Sequence, residues 1–199
     1  MRNADNIRQA EELEIDMMGF IFWPKSSRYV SERPSYLPTK CKRVGVFVDE
    51  DIELVRRIAD DYALDYIQLH GSEPPKYVNQ LCEWKIIKAF NIAAADDFAQ
   101  TKPYEGIADY FLFDAKGKLV GGNGEKFDWN VLSNYKGSTP FILSGGIGPD
   151  DAHRLRHAIT LNGFPVKKCI GIDLNSRFES APAHKDIDKL KEFIKKIRL

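Results

Sequence analysis

The 199-residue sequence predicts a single (β/α)8 TIM-barrel domain over residues 1–199, with the first strand of the barrel missing from the chain. Three observations predict it. Seven short apolar runs recur, each followed by a loop and, in most cases, an amphipathic stretch; such β–α alternation leaves a barrel or a doubly wound sheet. Most runs are continuously apolar, as expected of parallel strands covered on both faces. No GxGxxG follows the first run, which argues against a Rossmann-type sheet. At about 25 residues per unit, the chain lies at the small end for a barrel.

The elements follow in order. Asn3 is suited to cap a helix running to Glu14. A helix ahead of every strand is an orphan. Added to seven strands, it makes eight units whose first strand is absent. The strand candidates are MMGFIF from Met17, RVGVFV from Arg43, YIQLH from Tyr66 and KIIKAF from Lys85. YFLFD from Tyr110, PFILSGG from Pro140 and CIGIDL from Cys169 complete them. Helices are expected over 53–62, 74–82, 93–100, 128–132, 150–159 and 187–197. The link after MMGFIF reads as loop, with one turn near Tyr36.

Composition narrows the function classes. The 29 Lys and Arg balance 29 Asp and Glu, so no global field points to nucleic acid or an anionic membrane. A small, locally charged ligand fits that balance. Cys41, Cys82 and Cys169 lie far apart without CxxC spacing, as packed thiols and not as a disulfide framework or a zinc site. With no apolar signal region and no run long enough to cross a bilayer, a cytoplasmic protein is expected. The pattern sets no oligomeric state.

In a barrel the working groups lie at the C-terminal ends of strands and in the loops beyond. Those places here are 22–29, Asp49, 68–71, Phe90, Asn91, 114–124, 144–148 and 173–179. Gly145 and Gly146 in LSGGI would let the backbone approach an anion, or would form only a tight turn. The companion loop, DLNSRFE from Asp173, favours a phosphate site. Asp114 ends a very apolar strand, where desolvation would raise its pKa and let it donate a proton; a turn-capping carboxylate is the alternative. Gly117, Gly121, Gly122 and Gly124 after it suit either a mobile lid or a flexible connection. Arg28 in PKSSRYV offers a planar fork for a carboxylate, although an exposed arginine is commonly just solvated. Gln68 and His70 in QLHG are expected to wall the pocket.

Together, GFIFWPKSSRYV, VGVFVDE, LDYIQLHGSEPP, IIKAF, FLFDAKGKLVGGNGEKFDW, LSGGI and GIDLNSRFE resemble the phosphoribosylanthranilate isomerase family. They fall in order across nearly the whole chain. The resemblance implies an Amadori rearrangement of N-(5-phosphoribosyl)anthranilate in tryptophan biosynthesis, with no metal and no cofactor. It implies Asp114 as the general acid, Arg28 as the holder of the anthranilate carboxylate, and Gly145, Gly146, Asn175 and Ser176 as phosphate-binding residues. Gln68, His70 and Gly122 join them as substrate-binding residues.

Two departures accompany the resemblance. Arg177 stands where many members carry glycine. Members also begin with a strand ending in a KxCG-type motif, whose cysteine is the general base. Met1 falls just after the position of that motif, so the strand and the base are expected to be absent, leaving two sheet edges unpaired. Cys169 would lie roughly 13 Å below Asp173 along its strand and cannot stand in. Cys41 precedes its strand and Cys82 closes a helix. The expectation is therefore a shortened isomerase, the alternative a non-catalytic phosphosugar-binding barrel derived from it. An epimerase on the same barrel would need a pair of acid/base groups facing each other across the sugar, often with a metal, and the strand ends supply no His/Asp cluster of metal-ligand type.

Overall fold

The structure is a computed structural model and describes residues 1–115, 129–160 and 165–198. Its first element is α1 (Ala4–Glu11), capped by Asn3, whose side chain accepts the Asn6 N–H at 2.9 Å. The helix stops short of Glu14, which adopts a left-handed φ of 55°. Then come β1 (Met17–Ile21), β2 (Lys42–Phe47), α2 (Ile52–Tyr62), β3 (Tyr66–Leu69), α3 (Pro75–Val78) and β4 (Lys85–Ile92). They are followed by β5 (Tyr110–Ala115), β6 (Phe141–Ser144), α4 (Ala152–Thr160) and β7 (Cys169–Ile172). A hairpin of β8 (Glu179–Ala181) and β9 (His184–Lys185) leads into α5 (Ile187–Arg198).

All seven expected strands form. Two expected helices are instead 3-10 segments, Ala95–Tyr104 and Trp129–Asn134. The first ends around Pro103, which has no N–H to donate. The segment expected over 74–82 divides into α3 and a 3-10 turn, Asn79–Leu81. Nor is there a helical turn near Tyr36. That link is braced by the Glu11 carboxylate, which accepts from the Tyr36 hydroxyl and from the Thr39 and Lys40 N–H groups. Burial would raise the Glu11 pKa, but these bonds outweigh it and hold the carboxyl below its ordinary value.

The seven strands are parallel, and each lies beside the next in sequence. A doubly wound sheet reverses its strand order at a switch point. No reversal occurs here, so the sheet winds one way, as in a barrel. Among the described residues, β1 and β7 are its outer strands. The outer edge of β1 carries two isolated contacts and no paired strand among the described residues. The Met1 ammonium donates to the Gly19 carbonyl at 2.9 Å, and Ile21 bridges Tyr29 in the returning loop.

Strand alternation sorts side chains into two layers. Phe20, Phe47, Ile67, Leu69, Phe111, Phe113, Phe141 and Leu143 pack beneath the helices. Each such fully buried side chain contributes about 2–3 kcal/mol. Val44, Tyr66, Ile87, Ala89, Leu112 and Ile142 form a second cluster on the other face. Carried one step along each strand, that face presents Gln68, Asn91, Asp114 and Ser144 at the C-terminal rim.

A buried ion pair anchors the rim beyond β3. Lys88 and Glu73 are 2% and 3% exposed, which would be prohibitive for unpaired charges. The Lys88 ammonium donates to the carbonyls of Leu69 (3.2 Å) and Gly71 (2.8 Å) and to Glu73 (3.2 Å). Glu73 in turn accepts the N–H groups of Asp49 and Gly71. Burial lowers the Lys88 pKa, against the pull of Glu73.

Candidate active site

Asp114 lies between two neighbours in strand register, Asn91 of β4 and Ser144 of β6. The Ser144 hydroxyl donates to Asp173 Oδ2 at 2.8 Å, just beyond β7. On the other side, His70 Nε2 stands 3.7 Å from Asp114 Oδ2, and Gln68 Nε2 lies 3.1 Å from His70 Nδ1. The Asp114 and His70 side chains are 20% and 30% exposed, so both can meet a ligand. Gln68, His70 and Asp114 are thus brought together, with Ser144 and Asp173 beside them. Sequence reading placed these last two at strand ends without assigning them a role; their adjacency to LSGG and GIDL was the available signal.

The loop after β6 turns through two glycines with positive φ. Gly145 and Gly146 have φ of 95° and 65°, a region that disfavours side chains. A Cβ on Gly146 would meet nothing within 4 Å, so there the backbone conformation, not space, calls for glycine. Arg177 is exposed, with its Cδ 3.1 Å from where a Gly148 Cβ would stand. The arginine stem therefore joins the loops after β6 and β7. Ser176 opens a short 3-10 helix, Ser176–Phe178, and Asn175 accepts from the Lys185 ammonium at 3.0 Å. Burial lowers the Lys185 pKa, against the pull of Glu179 and Asp173. Lys185 had no sequence signal; the β8–β9 hairpin brings it here. Gly122, and the Gly117, Gly121 and Gly124 assigned to the same loop, lie outside the described residues.

Arg28 is engaged differently from expectation. Its Nε and Nη2 bond the Glu179 carboxylate at 2.7–3.0 Å, so a partner inside the chain holds the side-on edge of the guanidinium. A guanidinium carries five N–H donors. The end-on edge, Nη1 with the second Nη2 hydrogen, remains directed elsewhere, on a side chain 25% exposed. Burial would raise the Glu179 pKa, but Arg28 and Lys185 hold it below the ordinary carboxylate value.

Cys41 and Cys169 are partly buried, whereas Cys82 is exposed and not packed as the sequence suggested. Burial pushes the Cys169 thiol up to about 11, and burial with the Glu11 charge pushes Cys41 up to about 11. Among the described residues no cluster of three or more His, Cys, Asp or Glu is placed to hold a metal, and no helix is long and apolar enough to cross a membrane. A cleft of about 840 Å³ opens at the opposite end of the sheet, lined by Met17, Lys42, Arg43 and Asp65. Two of its charges pair with each other, Lys42 and Asp65 at 2.7 Å. Gln68, His70, Asp114, Gly145 and Gly146 lie instead at the C-terminal rim.

Residues 1–196 match a family model described as N-(5'phosphoribosyl)anthranilate (PRA) isomerase. The chain is 46% identical over 205 residues to N-(5'-phosphoribosyl)anthranilate isomerase of Parabacteroides distasonis, an alignment covering 99% of this chain and 90% of that protein. It is 45% identical over 200 residues to the enzyme of that name from Phocaeicola vulgatus, covering 100% and 95%. Among solved structures, phosphoribosyl anthranilate isomerase from Thermotoga maritima aligns with a TM-score of 0.80 at 31% identity, covering 100% of this chain and 95% of that one. A phosphoribosyl anthranilate isomerase in complex with reduced 1-(o-carboxyphenylamino)-1-deoxyribulose 5-phosphate aligns with a TM-score of 0.76 at 28% identity, covering 100% and 98%.

Proposed function

The chain belongs to the N-(5'-phosphoribosyl)anthranilate isomerase family, and we propose that its rim performs that isomerisation with Asp114 as the general acid. The reaction is an Amadori rearrangement in tryptophan biosynthesis. Asp114 gives a proton to the furanose oxygen as the substrate nitrogen pushes open the bond from that oxygen to C1'. The resulting Schiff base gives its C2' proton to a base, the role that the KxCG-type cysteine holds in the family. The enolamine takes a proton at C1' as its C2' hydroxyl gives one up, leaving the ketose, 1-(2-carboxyphenylamino)-1-deoxyribulose 5-phosphate. The substrate nitrogen supplies the electronic push, so the chemistry calls for no metal or organic cofactor. Arg28 holds the anthranilate carboxylate with its end-on edge. Gly145, Gly146, Asn175 and Ser176 receive the phosphate, with Arg177 and Lys185 nearby.

The observation that supports this reading is convergence. A sheet of sequentially ordered parallel strands carries Gln68, Asn91, Asp114 and Ser144 to one rim, next to two loops suited to an anion. A second reading is a barrel that binds the phosphosugar without converting it: Cys41 lies in the cleft at the opposite end of the sheet and Cys169 at the start of β7, so neither thiol reaches the rim. Turnover of N-(5-phosphoribosyl)anthranilate by the purified chain separates them. Saturable conversion supports the isomerase; binding of the reduced product without conversion supports the second reading.

A further inference from the structure

We propose that Gln68 is a positioning residue that keeps the proton of neutral His70 on Nε2, so that this N–H faces Asp114 Oδ2 and stabilises the carboxylate left by proton transfer. The proposal rests on Asp114 being the general acid. The amide nitrogen of Gln68 can only donate, and it lies 3.1 Å from His70 Nδ1. Nδ1 must therefore accept, and a neutral imidazole with an accepting Nδ1 carries its proton on Nε2. That nitrogen is the one 3.7 Å from Asp114 Oδ2. The distance makes a charge–dipole contact, of the kind that shortens when substrate binds.

The backbone beneath the ring is held on both sides. The His70 N–H donates to the Phe47 carbonyl at 2.9 Å. Gly71 is gripped by Lys88 and Glu73, and a Cβ there would come within 2.4 Å of the Asp49 carboxylate. Gln68 and His70, two residues apart on one face, thus meet at fixed geometry. With Oδ2 facing His70 Nε2 at 3.7 Å, we place the transferable proton of Asp114 on Oδ1. When the Oδ1–H bond breaks and the proton joins the furanose oxygen, the charge left on the carboxylate faces an N–H already in place.

Nitrogen NMR of the full chain with labelled histidine tests this, with the His70 signals assigned by their loss in His70→Asn. At a pH where the ring is neutral, the parent should show Nε2 protonated and Nδ1 bare. Gln68→Leu should convert this to a tautomer mixture, and Asp114→Asn should shift the Nε2 signal alone. A protonated Nδ1 in the parent, or ring signals unmoved by either substitution, would overturn the proposal. In turnover, Gln68→Leu and His70→Asn should each lower kcat at least about tenfold with KM within about twofold. Parental kcat in both would also overturn it. A parent without turnover would refute the reaction assigned above, while the nitrogen spectrum still decides the ring.

Discussion

Glu179 grips the side-on edge of Arg28 across 151 residues of sequence, at 2.7–3.0 Å. The carboxylate side chain is 5% exposed, so the pair is largely withdrawn from water. One consequence is orientation: a guanidinium fixed along one edge presents the other in a set direction. Ligand recognition by Arg28 is therefore expected to depend on a residue that need not touch the ligand.

Arg28→Ala should weaken binding of a phosphosugar bearing anthranilate by about 2 kcal/mol, the order expected for a charge-assisted pair. A phosphosugar without the anthranilate carboxylate should lose much less. Calorimetric titration of both ligands against parent and variant checks this, and equal losses would refute carboxylate recognition.

Glu179→Gln carries a pH signature. The folded-state pKa of Glu179 lies below its ordinary 4.5, because Arg28 and Lys185 outweigh the opposing effect of burial. A depressed carboxylate contributes stability that is present above the unfolded pKa and fades as pH falls through the folded one. The variant should be less stable at neutral pH by about 1–3 kcal/mol. It should also lose less than the parent on acidification from about pH 5 to 3. Denaturant melts across that range decide it; parallel curves would contradict the assignment.

Asp114→Asn keeps the shape and removes the transferable proton. Its turnover should fall by about 10²–10⁴, the range for general acid–base catalysis. Affinity for the reduced product should change little. Activity within a few-fold of the parent would take Asp114 out of the acid role.

Lys88→Met should destabilise the fold by about 3–5 kcal/mol, because it leaves Glu73 charged, buried and unpaired. The double change Lys88→Met with Glu73→Gln should recover part of that loss. Thermal melts of the single and double variants measure the coupling, and strictly additive losses would show that the two groups act independently.

The sequence by itself determined the strands, the N-cap at Asn3 and the positions of Gln68, Asp114 and Ser144 at strand ends. Parallel strands buried on both faces require continuous apolar runs, and such runs are visible locally. Gln68 and His70 were legible for a similar reason, since two residues apart on a strand means one face. Only the tertiary structure decided the 3-10 form of Ala95–Tyr104 and Trp129–Asn134, whose short patterns do not distinguish one helical hydrogen-bond spacing from another. It alone paired Arg28 with Glu179, seated Lys185 beside Asn175 and gave Glu11 its three donors. Each of these contacts joins groups at least ten residues apart in sequence at distances of 2.5–3.0 Å. Residue type and spacing cannot specify such a match; it exists only once strand register and helix packing have placed both backbones.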